Sequence, residues 1–183
     1  MKISIITIAY NSAETIEDTI NSVVGQDYDD IEYIIVDGAS KDDTMDIVNK
    51  YRDQIAIISS EPDKGIYDAM NKGVALATGD IIGILNSDDI YANNSVISKV
   101  SNSIGDADSL YADLVYVNRE DTAKVTRYWK SGEYKEGAFF KGWMPPHPTF
   151  FVRKKCYDLY GTYDLKLRSA ADYECMLRML HKH

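Results

Sequence analysis

Residues 79–94 read GDIIGILNSDDIYANN. The apolar run Ile81 to Leu85 has the length and composition of a buried strand. Asp88 and Asp89 stand where that strand should end, before a helix expected to open near Asn93 or Asn94. Open α/β sheets bind ligands at the carboxyl ends of their strands. Carboxylates placed there can hold a hard divalent cation, and the cation can bridge a substrate's phosphates. The same pair also suits a turn that initiates the next helix. This stretch alone leaves both readings open.

Upstream, strands and helices alternate. Ile3 to Ala9 is a β-branched run, and Asn11 with Glu14 forms a capping-box pattern before Ile16, Ile20, Val23 and Val24 at helical spacing. Ile31 to Val36 is a second strand, followed by the turn Asp37-Gly38 and a second capping signature, Ser40 with Asp43. Ile55 to Ile58 reads as a third strand, 61–65 as a loop, and Ile66 to Ala77 as a helix ended by Thr78-Gly79. Such alternation predicts an α/β fold: parallel strands, right-handed crossovers and helices on both faces. Three strand ends, near Tyr10, Asp37 and Asp88, then converge on one rim.

Downstream of Ser109 the pattern changes. Leu110 to Val117 and Lys124 to Trp129 read as antiparallel strands around the polar turn Asn118 to Asp121. Pro145, Pro146 and Pro148 hold a loop open around His147, Thr149 to Val152 is a short strand, and Ser169 opens a final helix. There is no repeat and no clear linker. The expectation is one domain over 1–183, with a nucleotide-binding half (1–108) and a more irregular half (109–183).

Composition narrows the class. The 183 residues are 45% hydrophobic and 27% charged, as in ordinary globular proteins. A net charge of −9 argues against a nucleic-acid footprint, which needs a basic face. Cys156 and Cys175 lack a metal-ligand spacing and read as packing residues. The apolar run near the N-terminus is too short to span a bilayer.

Five fragments in order then resemble one family: TIAYN (7–11), VDGASKDDT (36–44), EPDKGIYDAMNKGVALATGD (61–80) leading to NSDD (86–89), HPTFFVRK (147–154) and AADYECMLR (170–178). Together they resemble the family 2 glycosyltransferases, over roughly Lys2 to Leu180. The resemblance implies the GT-A fold, a Rossmann-like α/β/α sandwich with a mainly parallel central sheet and an irregular C-terminal acceptor half. It implies inverting transfer of a sugar from a nucleotide-diphosphate donor, expected to be a UDP-sugar, to a hydroxyl of a saccharide or lipid-linked saccharide. Mn²⁺ or Mg²⁺ is the implied cofactor.

Site residues carry over by position. Thr7, Ala9 and Tyr10 match the segment lining the nucleotide-base pocket, and Asp37 matches the carboxylate that reads the base. Asp37 also forms an Asp-Gly turn. Asp63, Lys64 and Gly65 match a loop near the nucleotide, where Lys64 is either a phosphate contact or a solvated lysine. Asn71 matches a polar position turned toward the donor, and His147 one near the donor phosphates or acceptor; a loop histidine bonded to backbone is the competing reading. The family's Asp-x-Asp metal motif is altered, with Asn86 in first place. Asp88 matches the direct metal ligand and Asp89 a helper. Asp172 matches the general base, although Ala171 stands where a Glu is usual, and Ser169 with Asp172 also reads as a capping box. Trp143 is an acceptor-side candidate for stacking on a sugar. The family further suggests a cytoplasmic protein, at the inner face of the membrane where C-terminal residues beyond His183 touch it. The chain is read as either truncated there or naturally short.

Other classes fit less well. A sugar-1-phosphate nucleotidyltransferase would carry a Gly-rich, Arg-containing loop where this chain has TIAYNSAE, and a dehydrogenase would carry G-x-G-x-x-G there. A phospho-receiver domain would need acidic residues in place of Tyr10-Asn11. A catalytically impaired sugar-binding module stays open because both acidic motifs are altered.

Overall fold

Seven consecutive buried residues, ISIITIA, form β1 (Ile3–Ala9) at the centre of a sheet in the computed structural model, which describes residues 1–181. A strand with no exposed face needs cover on both sides, and crossover helices supply it. β2 (Ile31–Asp37) and β4 (Ile81–Asn86) flank β1 in parallel, and β3 (Ile57–Ser60) extends the sheet beyond β2. Two short strands, β5 (Ser109–Leu110) and β8 (Phe151–Arg153), join antiparallel beyond β4, giving the order β3-β2-β1-β4-β8-β5. The predicted parallel α/β core is therefore present, and the second half of the chain closes one edge of it.

Strand alternation divides the interior in two. Ile3, Ile5, Ile35 and Leu85 face α1 (Ile16–Val24), α2 (Thr44–Lys50) and α4 (Val96–Ser103). Ile6, Ile8, Val36 and Ile84 face α3 (Ile66–Leu76), α5 (Lys154–Tyr160) and α6 (Ala171–His181). The α3 helix approaches so closely that a Cβ on Gly73 would collide with Ile6, which leaves glycine as the residue that fits. This approach fixes the start of α3 at the carboxyl rim of the sheet.

The irregular half departs from the sequence reading. A single strand was expected from Leu110 to Val117, but Leu110 belongs to the main sheet and the chain leaves it at Tyr111. Tyr111 packs edge-on against Trp143, and the Asp113 carboxylate accepts the Ser131 N–H at 2.9 Å. Only then does β6 (Leu114–Val117) pair with β7 (Val125–Trp129) in a separate two-stranded sheet.

The expected helix caps also fail, for one shared reason. Asn11 and Glu14 form no capping box, because the Asn11 carboxamide oxygen accepts the Lys41 N–H at 2.9 Å. Ser40 Oγ accepts the Asn11 N–H of the loop after β1 at 2.8 Å, and it is Asp42 whose carboxylate takes the Thr44 N–H at 3.1 Å. The helix after NSDD begins at Val96, later than expected, with its Ile97 N–H bonded to Gln26 Oε1 at 3.0 Å. Asp172 accepts a bond from Tyr67, and no bond joins it to Ser169 among the described residues. At each place a partner from another loop outcompetes the local cap.

Candidate active site

Register brings the expected residues to one rim. Ala9 pairs with Asp37 and Ile8 with Asn86, so the loops after β1, β2 and β4 leave the sheet side by side. The two non-glycine residues with positive φ among the described residues, Asn11 at 50° and Ala39 at 61°, both lie here. Left-handed backbone at alanine costs roughly 1–2 kcal/mol. Cross-loop bonds hold it in place: Asn11 N–H donates to Ser40 Oγ at 2.8 Å, and Ser12 N–H to Thr44 Oγ1 at 2.7 Å.

Asp37 is fully buried. Its carboxylate accepts Ser40 N–H at 3.4 Å on Oδ1 and 3.1 Å on Oδ2, Ser60 Oγ–H at 2.6 Å and the Ser40 hydroxyl. Three donors, from the loop after β2 and the end of β3, thus hold both of its oxygens. A Cβ on the adjacent Gly38 would lie 2.5 Å from Asp63 Oδ2 and 3.2 Å from the Tyr10 ring, so both side chains crowd this glycine. Tyr10 is 60% exposed, which leaves its ring face free for a planar ligand. Thr7 and Ala9 require correction. Both are buried on the α1 face of the sheet, with Thr7 Oγ1 bonded to the Tyr33 hydroxyl at 3.1 Å, so Tyr10 alone of the three reaches the surface. In the following loop Asp63 accepts the Gly65 N–H at 2.8 Å, while Lys64 is exposed and its ammonium has no ion pair among the described residues.

At the end of β4 the polar residues divide their tasks. Asn86 Nδ2 donates to Asp89 Oδ2 at 3.0 Å. Burial raises the pKa of Asp89, the Asn86 bond opposes that, and the neighbouring charge of Asp88 adds to it. Asn86 Oδ1 is buried with no hydrogen-bond partner. Asp88 is exposed and lines a cleft of about 290 Å³ with Asn11, Ser12, Thr15, Ser87, Glu14 and Arg119. Arg119 comes from the turn between β6 and β7 and meets Glu14 at 2.8 Å. The sequence reading treated that turn only as a connection. Its single arginine, set among acidic and polar residues, was the available signal.

This donor set can be tested against a divalent cation. Among the described residues no group of three or more His, Cys, Asp or Glu could hold a metal ion. Mg²⁺ and similar ions are commonly held by one or two carboxylates together with substrate phosphates and water. An exposed Asp88 beside an unpartnered amide oxygen of Asn86 fits a cation arriving with a diphosphate.

A second cluster forms where α3 meets α6. The Tyr67 hydroxyl donates to Asp172 Oδ1 at 2.9 Å, and its ring stacks on Tyr163 with centroids 5.9 Å apart. Asn71 is committed to the same place: its Nδ2 donates to the Tyr163 carbonyl and its Oδ1 accepts the Tyr163 N–H, both at 2.9 Å. His147 Nε2 meets the Tyr163 hydroxyl at 2.8 Å. Burial pulls the His147 pKa down to about 4 despite the opposing charge of Asp172, so the imidazole is neutral at pH 7. Asn71 and His147 thus brace Tyr163 and do not point into an open donor site. Ala171 is fully buried, so the position expected to carry Glu is here a core position. Trp143 is packing: its N–H bonds the Ser131 carbonyl at 2.7 Å and its ring sits among Tyr111, Tyr134 and Phe139. Tyr67 and Tyr163 were not singled out, because nothing in the sequence separates them from the other tyrosines.

Known proteins resemble this chain in sequence and fold. The sequence profile described as Glycosyl transferase family 2 matches residues 4–164. A PGL/p-HBAD biosynthesis glycosyltransferase of Mycobacterium tuberculosis is 30% identical over 181 residues, spanning 96% of this chain and 68% of its own length. A UDP-Glc:alpha-D-GlcNAc-diphosphoundecaprenol beta-1,3-glucosyltransferase of Escherichia coli is 43% identical over 103 residues, 56% of this chain and 39% of that enzyme. Among solved structures, a fragment of S. aureus TarS in complex with UDP-GlcNAc superposes with a TM-score of 0.74 at 24% identity, over 98% of this chain and 53% of that one. This chain thus spans about half of the TarS fragment, and the likeness speaks to the fold, which is GT-A. On the profile match and the mycobacterial relative together, the chain belongs to glycosyl transferase family 2.

Proposed function

We propose that this protein moves a sugar, with inversion, from a UDP-sugar to a hydroxyl of a saccharide or lipid-linked saccharide. The observation that carries the reading is the shared rim of three parallel strands, where Asp37 beside an exposed Tyr10 lies along the sheet from an exposed Asp88. The E. coli relative that uses UDP-Glc and a diphosphoundecaprenol acceptor supports the choice of donor and acceptor, as does the TarS complex with UDP-GlcNAc.

In this reading Tyr10 stacks on the base and Asp37 accepts from the ring N–H of uracil. A base without that donor cannot make the bond, which gives selectivity. Asp63, Lys64 and Gly65 border the nucleotide. Asp88, assisted by Asn86 and Asp89, would hold Mn²⁺ or Mg²⁺; such a cation neutralises charge on the leaving diphosphate. Arg119 adds a positive charge to the same cleft. Asp172 takes the proton of the acceptor hydroxyl as that oxygen bonds to the anomeric carbon. The anomeric carbon–oxygen bond to phosphate breaks, and UDP leaves with the electron pair. No covalent sugar–protein intermediate is required. No helix among the described residues is long and apolar enough to cross a membrane. A lipid-linked acceptor would bring the reaction to the inner membrane face, the rest of the protein being cytoplasmic.

The test is thermal stabilisation by a panel of nucleotides with and without Mn²⁺. A ligand at 100 times its dissociation constant stabilises by about 2.7 kcal/mol. UDP with Mn²⁺ should raise the melting temperature most. Stabilisation by GDP or CMP with none by UDP overturns the uracil assignment.

A further inference from the structure

We infer that Tyr67 is a positioning residue for Asp172, holding its carboxylate in the orientation that proton acceptance requires. The inference rests on the reading of Asp172 as general base.

Tyr67 lies in the first turn of α3, directly after the Asp63–Gly65 loop. Its hydroxyl reaches the start of α6 and donates to Asp172 Oδ1 at 2.9 Å. The bond ties the start of α3 to the side chain that α6 presents. The ring cannot swing away freely. It stacks nearly parallel on Tyr163, at an interplanar angle of 14°, and Asn71 of the same helix grips the Tyr163 backbone from both sides.

The groups that face Asp172 are Tyr67 from α3, Tyr163 and His147 from the loops packed on α6, and Cys175 from α6 itself. Burial raises the two phenols and the thiol and lowers the imidazole, so none is charged at neutral pH. Asp172 therefore lacks a cationic partner in this set. The bond to Oδ1 leaves Oδ2 as the oxygen that would take the proton of an acceptor hydroxyl. Because Tyr67 follows the nucleotide-side loop by two residues, the donor half of the chain sets the geometry of the base.

The test is Tyr67→Phe, which keeps the stacked ring and removes the hydroxyl. One readout needs no substrate: the Asp172 carboxyl resonance at neutral pH, followed by NMR in protein labelled with ¹³C at the aspartate carboxyl and assigned by its loss in Asp172→Asn. That resonance should shift in Tyr67→Phe while the other aspartate resonances stay in place. The second readout is UDP release from UDP-glucose with Mn²⁺ and octyl glycosides as acceptors. Turnover should fall roughly tenfold, with affinity for UDP unchanged. An unmoved resonance overturns the inference, whatever the rate does. So does a moved resonance with full turnover. A rate that falls only in step with the folded fraction would reduce Tyr67 to a structural contact. If Asp172→Asn itself retains full turnover, the general-base reading fails on its own account, and the carboxyl resonance still reports the Tyr67 contact separately.

Discussion

The two ends of the central sheet treat carboxylates in opposite ways. At the amino end, Glu32 on β2 is almost wholly buried and fully engaged. It accepts Ser4 Oγ–H at 2.6 Å, Thr78 N–H at 2.7 Å, the Thr78 hydroxyl and the Lys2 ammonium at 3.2 Å. Burial pushes its pKa up, but the four bonds outweigh it and hold the group near 2. At the carboxyl end, Asp37, five residues further along β2, is also held by its neighbours, but the end of β4 is not. There Asn86 Oδ1 has no partner among the described residues, and Asp88 stands open to the cleft. Positive-φ alanine is also found at this end. Full engagement marks a carboxylate that serves the fold. Spare capacity and backbone strain mark the end where a ligand can supply the missing partners.

The widest separation between the two ends should appear in catalysis. Asp172→Asn should lower transfer by about 10²–10⁴, with UDP affinity nearly unchanged, because a general base addresses the acceptor. Measuring transfer rate, UDP affinity and melting temperature on one preparation decides it; full transfer would return Asp172 to a structural role. Next, Asp88→Asn should keep its melting temperature, since the side chain is exposed, yet lose Mn²⁺-dependent UDP binding and about 10²–10³ in turnover. Asp89→Asn should lose less, because that carboxylate is turned onto Asn86. Unchanged turnover in the Asp88 variant would break the comparison at its functional end.

Glu32→Gln tests the other end, and here stability is the quantity that should move. Removing the charge from a buried, fully bonded acid costs about 1–3 kcal/mol, or several degrees in a domain of this size. UDP affinity should not change. The pH dependence has a definite sign. The folded pKa lies below the ordinary value of 4.5, so the stabilisation is complete above that pH and is lost as pH falls toward about 2. Between those limits the variant should therefore lose stability less steeply than the parent protein. An equal acid slope would mean that Glu32 is not held as its bonds imply.

How much of this was legible depended on whether a feature lay along the chain or between loops. Runs such as Ile3–Ala9 and Ile81–Leu85 announce themselves, because a strand buried on both faces must be continuously apolar. The convergence of Tyr10, Asp37 and Asp88 followed from parallel topology alone. The helix caps were misread because the side chains of Asn11, Ser40 and Asp172 are bonded to other segments, Ser40 Oγ to the Asn11 N–H, which no local pattern records. Asp88 stood out by its place at a strand end, whereas Asp172 was singled out only through resemblance to a family, and the roles proposed for both come from that resemblance. Tyr67 and Arg119 were missed by either route, since their positions matter only once α3 meets α6 and the β6–β7 turn meets α1.

The smallest expected effect sharpens the account of Glu32 by separating its ion pair from its hydrogen bonds. Lys2 is its one cationic partner, and the Lys2 side chain is 43% exposed. A pair with one solvated member contributes about 0.2–1 kcal/mol and weakens with salt. Ser4, fully buried, and Thr78, at the surface, are uncharged and donate to both of its oxygens. Lys2→Met keeps the apolar stem and removes the ammonium, so the carboxylate retains three donors. Its melting temperature should drop by a degree or two at low salt, and the gap to the parent protein should close in about 0.5–1 M NaCl, where screening is nearly complete. Glu32→Gln should show no such closing, because its losses are mainly buried hydrogen bonds. If Lys2→Met proves as damaging as Glu32→Gln, and equally insensitive to salt, then the ion pair holds the amino end of the sheet. The contrast with the rim would then be one of paired against unpaired charge, not of engaged against spare acceptors.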